Sequence, residues 1–526
     1  MPSDMNSEKA TTHREQKGLL GKVWKRLCAP GKHYAVRAAA VTQSVTIDKS
    51  EAVTVIGEIL PAKTPLPESD SRSDIVFEDQ KQISMGSRFF DYITSFAGSR
   101  FTFIVTLSVF FGWGIAGIVL GAPQNWQIAM SDGGSIQCYI SDSLLMRQQQ
   151  NQCTQLLTII AQLRSRNKTF KRLLSNPEIV RKIQELKSQN LQMPQDHIGN
   201  GAKLPLEGWF DKLCSWVSWL IGSIYSQVFY WVAIFVWIGC GYIDDWSNLW
   251  QLYINTASAV QLSFTSMFLQ HTRRIHMEYF EKCLKSVVEA DCEVESLLRQ
   301  VTTDSELNPM IEIQPLRTGF GVRAIDYYAD LVGSGVGAFI STCVFIVWLA
   351  IGNVMDWNSN WWLIIGTYTG LIGYIDGFML RNVYFRQDTI INQQFQELID
   401  EDYEIFQKLS VEVPEERLVD DKSLIYKMSH FMGVVCSHPW SVLSSVLITI
   451  GLICVASGML WNETGQLICN TPTMIIEGFL FNVLIQAHNV ADTKRRVVIH
   501  NVLLRRLKLL QYVRPLSDDC EKKLVE

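Results

Sequence analysis

Three carboxylates stand in otherwise apolar text: Asp142 in YISDSLLM, Asp376 in YIDGFML and Glu477 in MIIEGFLF. The words DGF and EGF match. Trp361 to Arg381 around Asp376 is long enough to span a bilayer, since about 20 helical residues cover roughly 30 Å. A charge at mid-membrane costs about 2.5 to 3.5 kcal/mol on insertion scales, so an acid there is a candidate functional residue by default. Lys and Arg are absent from residues 101–146, 213–272, 324–380 and 428–493. A salt bridge is therefore not expected, and an ionised Asp376 would be balanced by a bound cation, a proton or hydrogen-bond donors. Oxygen ligands with Cys138, Met146 and Met379 as softer neighbours suit a divalent metal in transit, bound weakly enough to leave. The competing reading makes these acids structural hydrogen-bonding groups between helices.

The acids require helices that cross the membrane together. Of 526 residues, 48% are hydrophobic and 16 are Trp, which is the composition of a polytopic membrane protein. Each basic-free stretch can cross twice, and basic segments flank it on the cytosolic side. The net charge of −5 says little about partners, but the Lys and Arg form no basic stripe and no nucleic-acid partner is expected; the bilayer and divalent metal ions are the partners expected. The 12 cysteines lack the spacing of a zinc site or disulfide framework. Phosphate loops and H-E-x-x-H are missing, so neither an enzyme nor a cofactor is expected. No cleavable leader is seen, which places the N-terminus in the cytosol.

One pattern occurs four times. Amphipathic leaders begin near Phe89, Trp209, Ala324 and Leu424, and each precedes an apolar span. A second helix then opens with a shared box: WQIAMSDGG from Trp126, WQLYINTAS from Trp250, WWLIIGTYT from Trp361 and GQLICNTPT from Gly465. The expected fold is all-α: about eight transmembrane helices in four parallel two-span repeats with cytosolic helical connectors. Expected boundaries are 1–85 for a mostly disordered cytosolic tail, 86–206, 207–321, 322–422 and 423–510 for the repeats, and 511–526 for a C-terminal tail. Both termini then lie in the cytosol.

Aligned boxes give a column of Ser131, Asn255, Gly366 and Asn470, followed by Asp132, Thr256, Thr367 and Thr471. These residues are helix caps or a polar ring at a pore mouth, with Asp132 a further metal ligand. Repeat 2 offers Thr265 in place of an acid. Gln148, His271, His488 and Asp492 are candidates for the cytosolic exit. Gly366, Gly370, Gly373 and Gly377 share a helix face, which favours close helix packing. Asn462 begins a glycosylation sequon on the outer side, and Asn167 begins another in a cytosolic segment.

The stretches GAPQNWQI, SIQCYISDSLLMRQQ, NWWLIIGTYTGLIGYIDGFMLR, PWSVLSSVLITIGLICVASG and TGQLICNTPTMIIEGF resemble the fungal low-affinity ferrous iron permeases, over roughly Phe89 to Arg496. The resemblance implies low-affinity uptake of ferrous iron at the plasma membrane, with copper, zinc and manganese as further substrates. It is this resemblance that supplies iron as the metal. The alternatives are a monovalent cation channel, a proton-coupled carrier, or a membrane scaffold with structural acids.

Overall fold

A computed structural model describes residues 35–43, 85–187, 208–316, 319–415 and 424–525. Its described residues form 13 helices and one two-stranded sheet. A short helix, an apolar helix and a long helix follow one another four times: α1 (Met85–Ala97), α2 (Arg100–Leu120), α3 (Gln124–Leu173); α5 (Trp209–Ile221), α6 (Ile224–Cys240), α7 (Asn248–Thr302); α8 (Phe320–Val332), α9 (Gly335–Ile351), α10 (Ser359–Leu409); α11 (Leu424–Ser437), α12 (Pro439–Gly458), α13 (Glu463–Val525). Helix α4 (Pro177–Lys187) follows α3.

Local chemistry sets the joints. Ser99, Ser223 and Ser334 cap α2, α6 and α9 by accepting from the backbone N–H of Thr102, Ser226 and Gly337, and His438 does the same for α12. At two of these caps the chain bends sharply, by 59° between α5 and α6 and 67° between α8 and α9. The turns into the long helices pass through the left-handed region at Gly121 and Ala122, Asp245 and Trp246, Asp356 and Trp357, and Leu460 and Trp461. Indole N–H groups then clamp three of the hairpins: Trp126 donates to the Trp113 carbonyl, while Trp237 with Trp250 and Trp348 with Trp361 donate to each other's carbonyls.

By length and apolarity α2, α10, α12 and α13 can each cross a membrane, and the bent pairs α5 with α6 and α8 with α9 bring the number to six. Helices α3 and α7 fall short because their N-terminal halves carry many polar residues, so hydropathy does not supply the eight crossings expected. The apolar helices bury little within the protein and turn side chains such as Phe111 and Ile118 outward, as lipid-facing helices do.

The four long helices form a ring. Helix α3 packs on α7 and α10, and α13 packs on the same two, so α3 faces α13 across the middle. Neighbours in the ring are thus not in chain order. Beyond the membrane the ring continues as a bundle whose core holds charge: Arg506 pairs with Asp291 and, at 2.7 Å, with Asp402, and bonds Asn167 at 2.8 Å. All four residues are fully buried. The Asn167 sequon is therefore shut inside the bundle.

Two boundaries differ from expectation. Within the N-terminal tail, β1 (Val36–Ala38) pairs antiparallel with β2 (Ile311–Ile313), and the Ala40 N–H bonds Ser165 at 3.2 Å; residues 1–34 and 44–84 lie outside the described residues. Helix α13 runs through Pro515 to Val525, so the segment from 511 continues the bundle and is not a separate tail.

Candidate functional site

Helical periodicity puts Ser131, Ser135, Cys138 and Asp142 on one face of α3, and Asn470, Met474 and Glu477 on one face of α13. Because these helices face each other across the ring, the side chains meet at its centre. The row Gly366, Gly370, Gly373 and Gly377 on α10 forms the wall beside them. A Cβ at Gly366 would lie 2.3 Å from Asp132 Oδ1, one at Gly370 2.2 Å from Asn470 Oδ1, and one at Gly373 2.6 Å from Glu477 Oε1. The first three glycines leave room for polar side chains rather than for another helix backbone, while Gly377 faces Leu480.

The outermost level is apolar. Ile128, Leu252, Leu363 and Leu467, the third residue of each box, come together as a buried collar. One turn deeper lies the polar ring. Asp132 (both oxygens), Asn255 (both amide atoms), Thr367 Oγ1, Asn470 Oδ1 and Thr471 Oγ1 are buried without a hydrogen-bond partner among the described residues. Thr256 instead donates to its own helix at the Leu252 carbonyl. These columns are not caps: Ser247, Asn358 and Asn462 cap the long helices by accepting from the N–H of Trp250, Trp361 and Gly465.

Below the ring, Cys138, Asp142 and Glu477 converge. One ligand atom from each lies within 4.8 Å of the others, and all three residues are buried. The Cys138 thiol donates to Glu477 Oε1 at 3.1 Å, while neither oxygen of Asp142 has a hydrogen-bond partner among the described residues. Met146 and Met379 belong to the same buried core as Cys138.

Asp376 is not gathered into this cluster. Its Oδ1 accepts from Tyr328 of α8 at 2.7 Å, and Tyr139 and Tyr368 line the same region. In repeat 2, Thr265 donates to the Gln261 carbonyl within its own helix. The expectation that no base reaches the acids is corrected. Arg381, buried and one residue past the basic-free stretch, turns back to donate to the Gly377 carbonyl and lies within electrostatic reach of Asp142 and Glu477. Long side chains on a helix lean toward its N-terminus, which carries the guanidinium about a turn into the membrane.

At the end of the cluster away from the collar the axis meets a polar cavity lined by Gln149, Tyr384, His488, Asp492, Arg273 and Arg495, among others. His488 accepts from Arg273 at 3.1 Å, and Asp492 sits 3.0 Å from His276. Gln149, with both amide atoms unpartnered among the described residues, lines it where Gln148 was expected. His271 lies elsewhere, 3.3 Å from the Gly98 carbonyl and 3.4 Å from Asp211, packed on Phe103 and Phe210.

Sequence reasoning missed the collar, Met474, Gln149, Tyr328 and Arg381. The box alignment held the collar, one turn before the columns that were read. Gln149 follows from Asp142 by two helical turns.

A thiol, two carboxylates and a ring of amide, hydroxyl and carboxylate oxygens match the ligand preferences of divalent transition metals. The family model described as low affinity iron permease matches residues 323–419 and 425–513. The chain is 48% identical over 516 residues to the low-affinity iron/zinc ion transport protein fet4 of Schizosaccharomyces pombe, covering 95% of this chain and 88% of that protein. It is 41% identical over 453 residues to the low-affinity Fe(2+) transport protein of Saccharomyces cerevisiae, covering 80% of this chain and 82% of that protein. No solved structure matches.

Proposed function

The chain belongs to the low affinity iron permease family, and from that membership we propose that it carries ferrous iron at low affinity across the plasma membrane. Zinc, copper and manganese are further substrates in this reading, and metal is cargo rather than cofactor. The relatives are transporters, not enzymes. Eight crossings in four parallel two-span repeats, with both termini cytosolic, frame the pathway. The turn and cap chemistry that recurs at each joint supports this arrangement.

The observation that carries the proposal is the meeting of Cys138, Asp142 and Glu477 inside the ring of long helices. Metal passes the apolar collar, which closes the outer end by excluding water. It exchanges part of its hydration for Asp132, Ser131, Asn255, Thr367, Asn470 and Thr471, then reaches the cluster. Asp376, held by Tyr328, adds charge from the side. Arg381 keeps binding weak enough for release, since a guanidinium near the carboxylates competes with the bound cation. The cargo leaves past Gln149, His488 and Asp492.

Reconstitution tests the function. Purified protein in liposomes should admit ferrous iron well above protein-free vesicles. Potassium flux without iron flux, or no flux at all, rejects the reading.

A further inference from the structure

We propose that Met474 decides which cations pass from the polar ring to the Cys138, Asp142 and Glu477 cluster, admitting transition metals and holding back calcium and magnesium. This rests on the pathway proposed above. Met474 follows Asn470 by four residues and precedes Glu477 by three, so its thioether stands between ring and cluster on the axis-facing side of α13. It is fully buried. Cys138 on α3 and Ala259 and Leu262 on α7 belong to the same buried core.

The sulfur reaches across the ring toward α3, where Ser135 Oγ lies at 3.7 Å and Ser131 Oγ at 4.0 Å. Neither hydroxyl claims it firmly. Ser135 gives its hydrogen to the Ser131 carbonyl at 2.8 Å, and the Ser131 contact is long. Beyond these two long contacts the sulfur keeps lone-pair capacity for a cation.

From Asn470 to Glu477 the helix rises about 10 Å. A cation crossing that gap must shed water beside a thioether. Thioethers favour softer transition metals, whereas calcium and magnesium take oxygen ligands and magnesium dehydrates reluctantly. The sulfur offsets the lost water for one class only.

The test uses the full chain in proteoliposomes with ferrous iron and calcium as separate probes. Met474→Leu keeps the volume and removes the sulfur; the iron-to-calcium flux ratio should fall about tenfold, the scale on which groups supporting a metal site act. Met474→Cys should retain more of the ratio than Met474→Ser, which has the same shape without sulfur, and this pair decides the matter if Met474→Leu is not recovered folded. Equal ratios in the Cys and Ser variants, or an unchanged ratio in Met474→Leu, overturn the role of Met474. Run alongside, Glu477→Gln separates the causes. If it abolishes iron flux, the pathway stands and only Met474 is misassigned; if iron flux persists, the pathway reading fails and this inference with it.

Discussion

The carboxylate of Glu477 rests on Gly373: a Cβ on α10 at that position would lie 2.6 Å from Oε1 and 2.8 Å from Oε2. The acid on one helix is placed by the missing side chain on another.

Gly373→Ala should therefore push Glu477 away from Cys138 and lower ferrous uptake about tenfold, within the range for groups that orient metal ligands. Gly112→Ala is the control, because a Cβ there meets nothing within 4 Å. Radiolabelled iron uptake at matched surface level compares the two.

Much of this was legible in the sequence, and the limits are physical. The acids of α3, α10 and α13 and the box at the start of each long helix follow from composition and spacing. What spacing cannot supply is which helices face one another. Because α3 opposes α13, Asp142 meets Glu477, whereas Asp376 turns toward Tyr328 of α8. Arg381 escaped for a related reason: its Cα lies outside the basic-free stretch and its guanidinium points inward.

The collar makes an opposite-signed case. Leu363→Ser places a hydroxyl among Ile128, Leu252 and Leu467. If the collar excludes water, the substitution should raise ferrous uptake severalfold and let normally rejected ions through. Ion flux in proteoliposomes measures both.

Glycan placement checks the topology. Asn462 is exposed at the turn between α12 and α13, whereas Asn167 is buried and bonded to Asp402 and Arg506. Enzymatic deglycosylation should increase the gel mobility of the parent chain and of Asn167→Gln, but not of Asn462→Gln.

The bundle beyond the membrane depends on its buried ions. Arg506→Ala removes the guanidinium that pairs with Asp291 and leaves Asp402 only the longer ion pair to Arg505 at 3.5 Å. Breaking such a pair costs about 3 to 5 kcal/mol, so the variant should melt at a clearly lower temperature in detergent. Arg514→Ala removes an exposed pair with Glu293 and should shift the melt little.

Ferrous flux through proteoliposomes containing Glu477→Gln or Asp142→Asn tests the central claim most directly. Each substitution keeps the side chain's shape and removes its charge, so flux should fall by about ten- to a hundredfold, with a smaller loss for Asp376→Asn. Parent-level flux in both Glu477→Gln and Asp142→Asn, with folding and orientation matched, would contradict a metal pathway through the cluster.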